Sequence, residues 1–124
     1  MAGQNIMNIG NRSALAKFRC GVAPIRIETG RYERNYPAPE ERTCFNCKDQ
    51  IEDEFHVLMC CPIYNDQRRT LWDFAYNHDP AFNFLSANEQ FIYLLSNDLV
   101  TKQTARNLKN ILSVRVHHTS RLIV

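Results

Sequence analysis

Between residues 44 and 61 the sequence reads Cys44-Phe-Asn-Cys47, then eight residues, then His56, then four residues, then Cys61. Thiolate sulfur and imidazole nitrogen are the donors that a tetrahedral zinc prefers, and two cysteines separated by two residues can close a turn on one metal. His56 and Cys61 can both face that metal if they stand at a helix end leading into Pro62. Three thiolates and one imidazole fill all four positions, so no position remains for an activated water, and the site reads as structural rather than catalytic. Such an ion supplies on the order of 10 kcal/mol in zinc-finger peptides, comparable with the whole stability of a small domain. The metal would therefore decide whether this segment folds. Cys60 competes with Cys61 as fourth ligand. Cys61 is preferred, which leaves Cys60 as a small buried apolar residue and Cys20, far upstream, as part of the core. A Cys-x-x-Cys pair alone would be weak and open to a redox reading; the added His and Cys at compact spacing make the metal reading specific.

The rest of the chain supplies the frame. Its 124 residues suffice for one domain with a modest core, and 44% apolar with 23% charged residues is an ordinary globular balance. No apolar run approaches the roughly 20 residues of a membrane helix, and the N-terminus lacks the basic-then-apolar layout of a signal peptide. The expectation is a soluble, intracellular protein, nuclear or cytoplasmic, whose five cysteines stay reduced and available to metal. Charge is uneven. Residues 1–43 carry seven Lys/Arg against four Asp/Glu, residues 44–66 one against five, and residues 67–124 seven against four. Two basic flanks bracket an acidic centre, which permits contact with nucleic acid without requiring it.

Periodicity predicts a mainly α fold: a small helical domain built round a Cys-Cys-His-Cys knuckle, with an irregular N-terminal segment. Residues 1–11 read as a loose leader. Residues 12–43 read as a short helix over Ser13–Arg19, an extended or strand-like segment over 24–32 from the alternation of Ile25 and Ile27, and a surface loop over 35–43. The knuckle occupies 44–66, with a metal-binding turn from Cys44 and a short helix from Glu52. Residues 67–124 form the C-terminal helical part of the same domain. A helix with Pro62 in its first turn leads into it, buries Tyr64, Leu71, Trp72 and Ala75 and ends before Pro80. Ser86 and Glu89 are spaced as a capping box for a helix burying Phe91, Leu94 and Leu95. A last helix from about Asp98 buries Ala105, Leu108, Ile111 and Leu112. Trp72, Phe74, Phe82, Phe84 and Phe91 are expected in the core.

Several stretches taken together resemble one known region: Leu15-Ala-Lys-Phe-Arg19, Ile27-Glu-Thr-Gly-Arg-Tyr32, Glu41-Arg-Thr-Cys-Phe-Asn-Cys47, Ile51-Glu-Asp-Glu-Phe-His56, Cys61-Pro-Ile-Tyr-Asn-Asp66 and Phe91-Ile-Tyr-Leu-Leu-Ser96. The region is the segment that follows the reverse-transcriptase domain in LINE-type (non-LTR) retrotransposon polyproteins, and the resemblance covers roughly residues 12–100. It implies zinc on Cys44, Cys47, His56 and Cys61, since the family ligand sits directly before the proline. It also implies RNA or DNA as the partner, beside a reverse-transcriptase domain, during target-primed reverse transcription. Reverse transcriptases hold magnesium with Tyr-x-Asp-Asp, whereas the nearest string here, Tyr64-Asn-Asp-Gln67, offers one carboxylate. The chain thus looks like a detached C-terminal piece, without polymerase activity and without enzymatic function.

Basic residues that suit a phosphate-binding face are Arg26, Arg31, Arg34 and Arg42, with Tyr32 and Tyr36 as stacking platforms, then Arg68 and Arg69 after the knuckle, and the stripe Lys102, Arg106 and Lys109 on the last helix. Each has a plainer reading: a solvated loop, an ion pair of Arg68 with the acids Glu52–Glu54, or the wet face of an amphipathic helix. His117 and His118 lack matching ligands nearby, and His78 reads as a turn residue. Two other functions compete with nucleic-acid binding. One is a protein-interaction module that zinc merely braces; the other is thiol chemistry at Cys44 or Cys47. A third possibility is a non-functional retrotransposon remnant.

Overall fold

A computed structural model describes residues 9–123, with side chains described through residue 117. It is mainly helical, and no strand occurs among the described residues. Helix α1 spans Ile9–Cys20, α2 is the single turn Arg26–Thr29, α3 spans Asn65–His78, α4 Ala87–Ser96 and α5 Thr101–Ile123. Short 3-10 turns cover Gly30–Tyr32, Pro39–Glu41, Pro62–Tyr64 and Pro80–Phe84, and a π turn covers His56–Cys60.

α5 is the axis of the core. Its Thr104, Ala105, Leu108 and Ile111 are fully buried, and it packs against α1, α3 and α4. Ala14, Leu15 and Phe18 form the buried stripe of α1, at the three- and four-residue spacing of one helix face. Leu71 and Ala75 do the same for α3. Phe82 lies edge-on to Trp72, with ring centroids 5.5 Å apart, and 5.4 Å from Tyr93, so it ties the turn after α3 to α4. α4 begins with the predicted capping box. Ser86 Oγ accepts from the Glu89 N–H at 3.2 Å, and Glu89 Oε1 accepts from the Ser86 N–H at 3.0 Å. Phe55 and Phe91, 5.3 Å between centroids, join the knuckle to α4.

Several expectations need correction. The leader reads as loose to residue 11, but α1 begins at Ile9; residues 1–8 lie outside the described residues. The extended segment over 24–32 is instead α2 and a 3-10 turn. Alternation of two isoleucines misled here because a polar partner from the knuckle captures the backbone. Glu52 accepts the Arg26 N–H on its carboxylate at 2.6 Å and the Ile27 N–H on its carbonyl at 2.9 Å. Thr29 then closes the turn onto the Ile25 carbonyl. The last helix starts at Thr101 rather than Asp98, because Asn97 Oδ1 first turns the chain through the N–H groups of Leu99 and Val100. Phe74 and Phe84 are exposed, at 40% and 90%, rather than core. Trp72, Phe91, Leu95 and Leu112 are half-buried. Cys20 and Cys60, both expected inside, are exposed.

Candidate metal centre

Two local structures converge on one point. The first is the turn carrying Cys44 and Cys47. The Lys48 N–H donates to the Cys44 carbonyl at 2.7 Å and the Cys44 N–H to the Gln50 carbonyl at 2.8 Å, while an antiparallel bridge between Thr43 and Ile51 pinches the ends together. Lys48 has φ +65°, the left-handed region that side chains adopt reluctantly. That turn presents both sulfurs on its inner side.

The second is the π turn over His56–Cys60. In an α-helix each residue advances about 100°, so a residue five positions on points about 140° away, whereas one four positions on lies nearly above the first. Regular helix would therefore set Cys60, not Cys61, beside His56. The chain instead widens. The Cys61 N–H donates to the His56 carbonyl at 2.8 Å, five residues back, and the wider turn brings Cys61 round to the histidine's side. Cys61 is fully buried and Cys60 faces solvent. Widening has a cost, since Pro62 has no N–H and the carbonyls that precede it lose their helical partners. Arg68, from the first turns of α3, supplies the donors: its guanidinium reaches the carbonyls of Leu58 at 2.9 Å, Val57 at 3.2 Å and Cys61 at 2.8 Å. At the other end, Asp53 Oδ1 accepts the His56 N–H at 2.7 Å and caps the turn.

Four donor atoms, one each from Cys44, Cys47, His56 and Cys61, lie within 4.8 Å of one another. The sulfurs of Cys44 and Cys61 are 3.8 Å apart, those of Cys47 and Cys61 3.9 Å. Cys44, Cys61 and His56 are buried and Cys47 half-buried. His56 Nε2 is buried with no hydrogen-bond partner in the protein, an arrangement that is costly unless something else engages the nitrogen. The thiols also perturb one another. A hydrogen bond from Cys61 holds Cys44 down to about 3, against the desolvation of burial. The same bond, reinforced by burial, pushes Cys61 far up, and burial raises Cys47. Crowded sulfurs of this kind cannot all ionise by themselves, and a cation at their centre removes the conflict. The cluster can hold one metal ion.

Basic residues singled out in the sequence fare unequally. Arg26 makes a two-pronged ion pair with Glu33 at 2.9 Å, donates to the Thr43 carbonyl at 3.0 Å and lies 4.8 Å over the Phe45 ring. Arg42 bonds the carbonyls of Pro37 and Ile27, Arg31 pairs with Glu28, and Arg68 serves the π turn rather than the acids at 52–54. Arg34, Arg69, Lys102, Arg106 and Lys109 are exposed. Sequence reasoning missed one pair that matters: Arg115 of α5 binds Glu52 at 2.6 and 2.9 Å, with both side chains nearly buried. Its signal was present, since Arg115 falls four residues after Ile111 and seven after Leu108, on the buried face of α5. Compared with protein-family models, curated proteins and solved structures, the chain matches none.

Proposed function

We propose that the chain is a zinc-braced nucleic-acid-binding domain, without polymerase or other enzymatic activity of its own, that works beside a reverse-transcriptase domain in a reducing nuclear or cytoplasmic compartment. The observation that carries the zinc is the spacing of the sulfurs. Zn–S bonds of about 2.3 Å in a tetrahedron set neighbouring sulfurs about 3.8 Å apart, and Cys61 Sγ lies 3.8 Å from Cys44 Sγ and 3.9 Å from Cys47 Sγ. All four positions are protein donors, so zinc here braces the fold and activates no water. The three thiolates and the neutral imidazole are the donor set zinc favours over harder cations.

Nucleic-acid binding is supported by the resemblance over residues 12–100 and by exposed cationic side chains on separate elements, Arg34, Arg69, Arg106 and Lys109. Phosphate contacts of this sort give binding that falls steeply with added salt. The test is electrophoretic mobility of the zinc-loaded protein with RNA and DNA at rising salt: binding that weakens with a steep log–log slope is expected, and unchanged migration at low salt contradicts the reading. A protein-interaction module is the competing function. It is favoured by apolar side chains left in solvent, Phe84, Ile92 and Leu99 at 90%, 62% and 68% exposure, and predicts capture of a partner protein with nucleic acid ignored.

A further inference from the structure

The segment from α2 to Pro39 is braced more heavily than its exposure would suggest. Arg26 and Arg42, which the sequence offers as phosphate ligands, are spent inside it. Arg26 locks Glu33 in a two-pronged pair. Arg42 spans the loop from the Ile27 carbonyl at 2.8 Å to the Pro37 carbonyl at 3.1 Å. Gly30 lies flat beneath that arginine; a Cβ there would meet the Arg42 Cδ at 2.5 Å. On this frame two tyrosines project into water, Tyr32 at 81% and Tyr36 at 80% exposure. Tyr36 holds φ +45°, a left-handed conformation that costs a non-glycine residue energy and recurs where a side chain is presented for use. Tyr32 also forms one wall of an open groove of about 250 Å³, with Val22, Ala23 and Thr29 beside it and the Arg31–Glu28 pair at its edge. Arg34, between the tyrosines, is exposed and makes no ion pair among the described residues. Both nearby acids, Glu33 and Glu28, are already held by arginines.

We infer that this loop seats unpaired nucleobases of a single strand, with one base stacked on Tyr32 over the groove, a second on Tyr36, and Arg34 on the intervening phosphate. The inference deepens the proposed function and rests on it, by naming single strands rather than duplex as the ligand. A flat aromatic face accepts any base, but only one that is already out of a stack. The groove offers apolar width beside a cation, and duplex DNA or RNA presents its bases edge-on inside grooves that a rigid, shallow loop cannot enter.

The experiment measures anisotropy of short labelled single strands, RNA and DNA in separate arms, and of the matching duplexes, with the full zinc-loaded chain. Tyr32→Ala is expected to weaken single-strand binding about tenfold or more with the salt slope unchanged, and to leave duplex binding as it was. Tyr32→Phe should restore single-strand affinity, because it keeps the ring. Tyr36→Asn, which tolerates the left-handed backbone, should behave like Tyr32→Ala; retained zinc content in each variant establishes that it folds. Arg34→Gln should lower both affinity and salt slope. Single-strand binding that is indifferent to Tyr32 overturns this inference while leaving the proposed function standing. Absence of binding to every nucleic acid at low salt overturns both.

Discussion

At the scale of single residues, the ion pair between Glu52 and Arg115 does more than its surroundings announce. Glu52 accepts the Arg26 N–H and both arms of Arg115, so one carboxylate fixes α2, the knuckle and α5 together. Breaking a buried pair from one side strands the other charge, at about 3–5 kcal/mol. Arg115→Ala is therefore expected to destabilise the folded chain by roughly that amount in denaturant titration, and Glu52→Ala by at least as much, because it strands the Arg115 cation and also removes the acceptor of the Arg26 N–H. Unchanged stability in Arg115→Ala would show that the pair does not hold α5 to the knuckle. This pair also marks the limit of what the sequence discloses. Glu52 sits in an acidic run that looks solvated, and its burial depends on an arginine 63 residues away. By contrast, the clustering of Cys44, Cys47, His56 and Cys61 was legible, because metal chemistry demands particular atoms at particular spacings whatever the rest of the fold does.

Among the elements, the helices of the C-terminal half were readable and those of the N-terminal half less so. α3 and α4 announce themselves through apolar spacing, Pro80 and the Ser86–Glu89 cap, all of which are local. α2 is not local: its turn exists because Glu52 captures two of its N–H groups, and a two-residue alternation carries no trace of that. The π turn lies between these cases. The choice of Cys61 over Cys60 follows from a five-residue hydrogen bond, which the proline that follows makes possible, and which Arg68 stabilises by satisfying the carbonyls left open. Arg68→Ala should thus leave unsatisfied carbonyls at about 1–3 kcal/mol each where they stay dry, and should lower zinc affinity without removing a ligand, read by competition with a chelator of known strength. Arg68→Lys should recover little, since one ammonium cannot copy a planar fork. Unchanged zinc affinity in Arg68→Ala would show that the turn holds itself.

For the molecule as a whole, α5 organises the helices, and the proposed metal ion would organise what the helices cannot. The segment from Cys44 to Cys61 holds few large apolar side chains that are fully buried, chiefly Val57 and Leu58, and no strand ladder supports it. Removing zinc with a chelator is expected to expose this segment to protease and to lower the thermal midpoint of the whole domain, because Phe55 and Glu52 couple the knuckle to α4 and α5; a cleavage pattern unaltered by the chelator would mean the knuckle folds without metal. Among the described residues no helix is long and apolar enough to cross a membrane, and the exposed cations are spread over α1, the loop after α2, the turn at Lys48, α3 and α5 rather than gathered on one stripe.

A single metal ion held by Cys44, Cys47, His56 and Cys61, with the π turn deciding between the two adjacent cysteines, is a countable property of the chain. Native mass spectrometry of the purified chain and of two variants tests it most directly. One zinc per chain is predicted for the parent and for Cys60→Ser, and loss of the bound zinc for Cys61→Ser. Zinc retained by Cys61→Ser but lost from Cys60→Ser, or a parent chain that takes up no zinc at all, would contradict it.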